Sequence, residues 1–347
     1  MTVLDNSMFP DGFKNEEELE NFLSTPSQAL IDDMAKIEGD IAILGVAGKM
    51  GPTLARLAKR AAPDKNIIGV ARFSNEKVKK RLESWGIENI QCDLLNREDV
   101  AKLPKIPNII YMAGKKFGTD GNEHFTWAMN TYAPSLVCEH FRESRIVGFS
   151  TILVYPYTLV ARQGSLDHDQ PLARPGEYAN SCVGRERMIE YFSHRYGFSA
   201  RVLRLAYSID MRYGVLHEVA NQVFKGETID LTPGHANVIW QGDANAQTLR
   251  TLLHCTNPSS PIIISGPETP SIRSLALAFG KSFGKEPIFS GEEAKDCVLV
   301  NAQEAAEVFG NPEVSMSWMI KWTADWVANA KLSWNMPCHY EVRDGIF

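Results

Sequence analysis

Gly45, Gly48 and Gly51, set at three-residue steps in ILGVAGKMGPTLARL, are the residues whose type and spacing most directly specify chemistry. A turn built from them runs tight, lets main-chain N–H groups approach a phosphate, and lets the following helix pack closely on the preceding strand. The start of that helix adds partial positive charge, so the expected occupant is the pyrophosphate of a dinucleotide. Lys49 and Met50 lie inside the loop, where Lys49 stands either near the phosphate or in solvent. At the end of the next apolar run, VARFSN offers Arg72 and no acid to hydrogen-bond the adenosine ribose. A guanidinium there suits a 2′-phosphate, which favours NADP over NAD, the alternative being a solvent-facing arginine. Further on, Pro134 in AMNTYAP cannot donate the helical hydrogen bond that the carbonyl of Asn130 would otherwise accept. That carbonyl is expected either to bind water or simply to mark a kink.

These residues need a scaffold, and the apolar pattern supplies one. IAILG, NIIGVA, ENIQCD, NIIYMAG and RIVGFS are short Ile- and Val-rich runs, separated by helical spacing over 49–61, 75–84, 96–102 and 122–142. Strands that are apolar throughout and alternate with helices predict a Rossmann-type, doubly wound parallel sheet covered on both faces. Helices over 176–196, 214–225 and 242–254 and strands at ARVLRL and 261–265 continue the series. The expected organisation is a helical N-terminal extension over 1–38 and a dinucleotide-binding domain over 39–212 and 228–265. A smaller mixed α/β substrate subdomain with the C-terminal tail takes 213–227 and 266–347. Within the extension, Leu19, Phe22, Leu23, Leu30, Ile31, Met34 and Ile37 form one apolar stripe per helix, as expected of an arm that packs on the main body.

The 347 residues carry a net charge of -6, with no Lys/Arg-rich stripe interleaved with aromatics, so nucleic acid is not an expected partner. No apolar run reaches the ~20 residues that span a bilayer, and the first residues lack a secretory pattern. The six cysteines are scattered without C-x-x-C or zinc-ligand spacing. They read as reduced thiols of a cytoplasmic protein, mostly core residues, and no metal is implied.

Together the pieces resemble the extended branch of the short-chain dehydrogenase/reductase superfamily, the NAD-dependent epimerase/dehydratase group, over roughly residues 40–265. The resemblance implies that Gly45, Gly48 and Gly51 form the cofactor loop and that Asp93 and Leu94 in QCDLL lie beside adenine. It further implies that Met112, Ala113 and Gly114 in YMAGKK line the cofactor. Asn130 matches the family's helical proton-relay Asn, and Thr151 in GFSTILVYP matches the catalytic hydroxyl at the end of the fifth strand. Ile152 and Leu153 stand where the sugar-nucleotide dehydratases carry Asp-Glu, which argues against that chemistry. Tyr178 matches the catalytic tyrosine, but Cys182 stands where the family's lysine belongs. That lysine holds the nicotinamide ribose and lowers the tyrosine pKa.

Without it an ordinary phenol has a pKa of ~10, so forming phenolate at pH 7 costs ~4 kcal/mol. Proton donation to a carbonyl being reduced suffers less than proton abstraction from an alcohol. Arg185, on the same helical face as 178 and 182, and Lys115 or Lys116 are the available substitute cations. Cys182 itself reads as an inert helix-interior thiol. On the substrate side, Asp210, Arg212, His217, Trp240 and Gln241 are candidates for a pocket between domains, each read singly as structural or solvated, and a pair of arginines there would suit a sugar or an acid. The resulting expectation is an NAD(P)-dependent oxidoreductase or epimerase acting on a small hydroxyl or carbonyl substrate. The alternative is a cofactor-binding sensor or scaffold without catalysis. A homodimer is expected by analogy with the family's pairing of the helices at 122–142 and 176–196.

Overall fold

The computed structural model describes residues 3–5, 7, 9–172 and 175–346. Seven strands form one parallel sheet: β1 (Ile41–Leu44), β2 (Ile67–Ala71), β3 (Glu88–Gln91), β4 (Asn108–Tyr111), β5 (Arg145–Thr151), β6 (Ala200–Leu205) and β7 (Ser260–Ile264). Their order is β3-β2-β1-β4-β5-β6-β7. Alternate residues of β1 enter different cores. Ile41 and Ile43 face one side with Leu54 and Leu57, whereas Ala42 and Leu44 face the other with Val137 and Phe141. Both faces are covered, which is why the strands read as unbroken apolar runs. The order reverses between β1 and β4, and the crevice above their carboxyl ends is where such a sheet receives ligands.

The helix expected over 122–142 is interrupted. It runs as Glu123–Trp127, a π-helical turn over Ala128–Tyr132, and a further helix over Ala133–His140. Pro134 is the cause, since it brings no N–H to the turn before it. The helix Glu177–Tyr196 follows β5 and ends on Gly197 in the left-handed conformation, as a C-terminal glycine permits.

A second core lies beside the sheet domain and is built around Trp240, Trp322 and Trp326. The N-terminal extension joins both cores. Its helix α1 (Glu16–Leu23) buries Leu19 and Leu23 in the tryptophan cluster, and α2 (Gln28–Lys36) buries Leu30 and Met34 against the sheet domain. Arg60 and Arg250 fasten the same helices, Arg60 through Asn21 and Ser24 and Arg250 through Asp33. No helix among the described residues is long and apolar enough to cross a membrane. All six cysteines are free thiols, five of them buried.

Candidate active site

The glycine loop follows β1 directly and faces the chain leaving β4. At Gly45 φ is +93°, and a Cβ would stand 2.7 Å from the Ala113 nitrogen. At Gly51 a Cβ would overlap the Val46 carbonyl, so this position serves the close packing of helix on strand. Gly48 is different: a Cβ there meets only the Gly45 carbonyl, at 3.4 Å, and its backbone is exposed. Two glycines therefore shape the loop, and the third leaves it open to a ligand.

Two cavities meet along this loop. One, of about 270 Å3, is lined by Gly45, Gly48, Arg72, Asp93, Leu94, Met112, Ala113 and Gly114, with Arg72 exposed at its edge. The other, of about 360 Å3, is lined by Gly45, Gly48, Lys49, Met50, Met112 and Gly114 on one side and by Thr151 and Tyr178 on the other. Residues chosen from separate stretches of sequence thus line one continuous groove. The paired shape suits an adenosine half and a nicotinamide half, with the loop between them.

Thr151 ends β5, where its hydroxyl oxygen accepts from the Leu153 N–H at 3.2 Å and anchors the turn Ile152–Val154. Ser150 alternates with it along the strand and is bound to Glu186, which forms a buried ion pair with Arg204. Of these neighbouring hydroxyls, Thr151 is the one in contact with Tyr178. The Tyr178 hydroxyl is buried and hydrogen-bonds both the Thr151 hydroxyl and the Cys182 thiol. Burial pushes its pKa well above the ordinary phenol value. Cys182 adds to that shift, while Arg185 and Thr151 oppose it. Cys182 is fully buried among Ile152, Val154, Tyr155 and Ile263, and burial raises its own pKa. It is a neutral core thiol.

The substitute cations separate clearly. Arg185 spends its guanidinium on neighbours: Nε on the Asn130 carbonyl at 3.2 Å, Nη2 on Asn130 Oδ1 at 2.6 Å, and Nη1 on the Phe149 carbonyl at 2.9 Å. Gly114 makes room for it, since a Cβ there would lie 2.5 Å from Nη2. The Arg185 charge still favours phenolate at Tyr178. Lys115 binds Asn130 through its backbone and lays its ammonium over Phe125, away from the cavity. Lys116 lines the cavity.

Two expectations need correction. The Asn130 carbonyl, read as either binding water or marking a kink, accepts instead from Arg185 Nε, and the Asn130 amide is saturated by Lys115 and Ser181. Asn130 therefore ties the 112–116 loop to the helix carrying Tyr178. The residues expected at a substrate pocket also divide. Arg212 is buried between Asp210, Glu16 and Glu20, and Trp240 belongs to the aromatic core. His217 meets Ser333. Only Gln241 of that group lines the cavity. Buried guanidinium–carboxylate pairs satisfy one another and leave little for a ligand.

The remaining wall was not read from local pattern. Phe117 directly follows Lys116, Tyr207 and Tyr213 come from the segment after β6, and Cys338 comes from the C-terminal tail. The tail is fastened by the Trp334 N–H on the Arg212 carbonyl and by the Lys116 ammonium on the Cys338 carbonyl, at 2.8 Å.

Residues 41–231 match the NAD dependent epimerase/dehydratase family. Among solved structures, the chain is similar to the UDP-glucuronic acid 4-epimerase of Bacillus cereus, in complex with NAD. The identity is 18% and the TM-score 0.71, over 84% of this chain and 99% of that one. It is also similar to the UDP-glucose 4-epimerase of Thermotoga maritima, with 17% identity and a TM-score of 0.69 over 84% and 99%. The UDP-glucose 4-epimerase of Thermus thermophilus, complexed with NAD, gives 16% and 0.68 over the same shares. No curated protein matches the chain by sequence.

Proposed function

The chain belongs to the NAD dependent epimerase/dehydratase family, a family of enzymes, and from that premise we propose that it reduces a carbonyl of a small, sugar-like substrate. The observation that carries this reading is the single cavity joining the glycine loop to the hydrogen-bonded Thr151–Tyr178 pair. A bound nicotinamide dinucleotide supplies hydride. Gly45 and Gly48 offer the pyrophosphate an open loop, and Met112, Ala113 and Gly114 form the facing wall. Thr151 orients and polarises the substrate oxygen. Tyr178 donates its proton to that oxygen as the carbon gains hydride, so the C=O π pair ends as an O–H bond. Burial keeps Tyr178 protonated at neutral pH, the form that proton donation needs. Turnover of reduced cofactor with a panel of aldoses, ketoses and sugar acids tests the reading, and no turnover with any of them counts against it.

Arg72 and the absence of an acid at the end of β2 support NADP over NAD, although the Bacillus and Thermus neighbours are complexed with NAD. An arginine–phosphate pair is a charge-assisted contact. Arg72→Asp is therefore expected to weaken NADP(H) about tenfold or more relative to NAD(H). Titration of both cofactors into the purified variants measures this, and equal affinities in the unchanged protein would end the NADP assignment.

We also propose a homodimer. Leu136, Val137 and Ile189 are used against the sheet, while Trp127, Tyr132 and Tyr191 stay exposed along Glu123–His140 and Glu177–Tyr196. Aromatic side chains left over after the core is covered suit a partner surface. Light scattering at micromolar concentration should give twice the chain mass, and a monomer refutes the proposal.

A further inference from the structure

Tyr178 is the second residue of the helix Glu177–Tyr196 and so lies in its first turn. The N-cap is Gly176, which brings no side-chain acceptor, although Glu177 takes the Trp127 indole N–H and Asn180 Nδ2 donates to the Gly176 carbonyl at 2.8 Å. End turns are the first part of a helix to open, and the C-terminal segment packs on this one. A Cβ on Gly176 would overlap the Gly345 carbonyl, and a Cβ on Gly345 would overlap the Pro175 carbonyl, with φ at +101° and +83°. The two backbones cross in direct contact, which only glycine permits. Three residues earlier, Val342 packs on Leu153 and Ala179, the cluster on which Tyr178 also rests. Leu153 is the residue whose N–H holds the Thr151 hydroxyl. Arg343 anchors the stretch between them. Its Nη1 and Nη2 donate to the Asp296 carbonyl and carboxylate, at 2.9 and 2.6 Å, and its own carbonyl accepts from the Tyr157 hydroxyl at 2.9 Å. Cys338 closes the other end, its N–H on Glu218 and its carbonyl on Lys116.

We infer that residues 338–345 form a clasp that sets Tyr178 against Thr151, with Val342 and Gly345 as its positioning residues. Neither of these two lines the cavity, so each acts through the catalytic pair. The inference rests on the reductase reading of that pair and adds what holds it in register. The two hydroxyls belong to separate elements, one at the end of β5 and one in the first turn of a helix. Val342 meets the residue beside each of them, and Gly345 pins the point where the helix begins. A proton donor displaced by about 1 Å loses on the order of a hundredfold in rate, so a small slackening of the clasp is felt in the chemistry before it is felt in the fold.

Amide hydrogen exchange and steady-state carbonyl reduction, both on the full-length protein, test this. In an α-helix the amides of Asn180, Ser181 and Cys182 bond the carbonyls of residues 176–178, so their exchange reports the first turn. Gly345→Ala should speed exchange there about tenfold or more while β1 and β4 stay unchanged. It should also lower kcat about tenfold or more, with substrate KM and NADP affinity each held within about twofold. Val342→Ala is a milder change that keeps the backbone crossing, and it should move exchange and kcat the same way by about threefold or more. Val342→Ile keeps a branched side chain on the cluster and should stay within about twofold of the unchanged protein. Exchange at 180–182 that is unaltered in both Gly345→Ala and Val342→Ala overturns the inference. So does faster exchange spread equally over β1 and β4, which would make the segment a fastener of the whole fold. A kcat that holds while the first turn opens overturns it as well. If the unchanged protein reduces no substrate, the reductase reading fails instead, and the exchange comparison still decides whether the segment holds the helix.

Discussion

Tyr178→Phe is expected to lower turnover about a thousandfold while changing cofactor affinity by no more than about twofold. The substitution removes one oxygen, the one that bonds Thr151 and Cys182, from a residue that lines the cavity. The ring stays packed against Leu153 and Ala179, so the groove keeps its shape. The pH profile adds a second check. Burial raises the phenol pKa above its ordinary value, so carbonyl reduction should not lose its donor below pH ~10. Alcohol oxidation by the same residue would need the phenolate, which costs ~4 kcal/mol at pH 7 for an ordinary phenol and more for this one. Alcohol oxidation by the phenolate should therefore rise with pH through the neutral range, while reduction stays flat. Steady-state kinetics in both directions across pH measure the two profiles. If Tyr178→Phe alters nothing while cofactor still binds, the protein is a cofactor-binding module without this catalysis.

Arg212→Leu is expected to destabilise the fold by about 3–5 kcal/mol, the largest effect anticipated outside the groove. Its guanidinium makes a two-point contact with Asp210, at 2.9 and 2.7 Å, and also binds Glu16 and Glu20 of α1. The Trp334 ring lies 4.5 Å away over the guanidinium face, so one side chain fastens both ends of the chain. Removing it leaves Asp210 as a buried negative charge without its guanidinium partner, while Glu20 keeps only Arg81. The consequence reaches the site, because Asp210 contacts Gln241, and Gln241 binds Thr53 on the helix that follows the glycine loop. Denaturant unfolding should show the loss for the single variant. Asp210→Leu added to Arg212→Leu should recover much of it, since apolar packing can replace a buried ion pair. A single variant as stable as the unchanged protein would show that the network contributes nothing.

Local sequence determined the sheet and the loop. Period and composition suffice for these, because a strand buried on both faces must be apolar throughout, and a phosphate turn needs glycine where backbone crowds it. Pro134 likewise predicts an interruption, which appears as the π-helical turn at Ala128–Tyr132. Arg72 was legible from its place at the end of a strand, whereas Thr151 and Tyr178 were picked out by the family resemblance, which matches the end of β5 and the first turn of Glu177–Tyr196.

Other features depended on contacts between residues far apart in the chain. Whether Arg212 faced a ligand or a carboxylate was settled by α1, whose Glu16 and Glu20 lie almost two hundred residues earlier. The choice among Arg185, Lys115 and Lys116 turned on side-chain direction. Neighbours in sequence, Lys115 and Lys116 point to Phe125 and to Cys338. The Asn130 carbonyl that Pro134 released found a guanidinium before it found solvent. Sequence periodicity places a residue on a face, but a charged side chain goes to whichever partner compensates its desolvation, and only the tertiary structure brings that partner within reach.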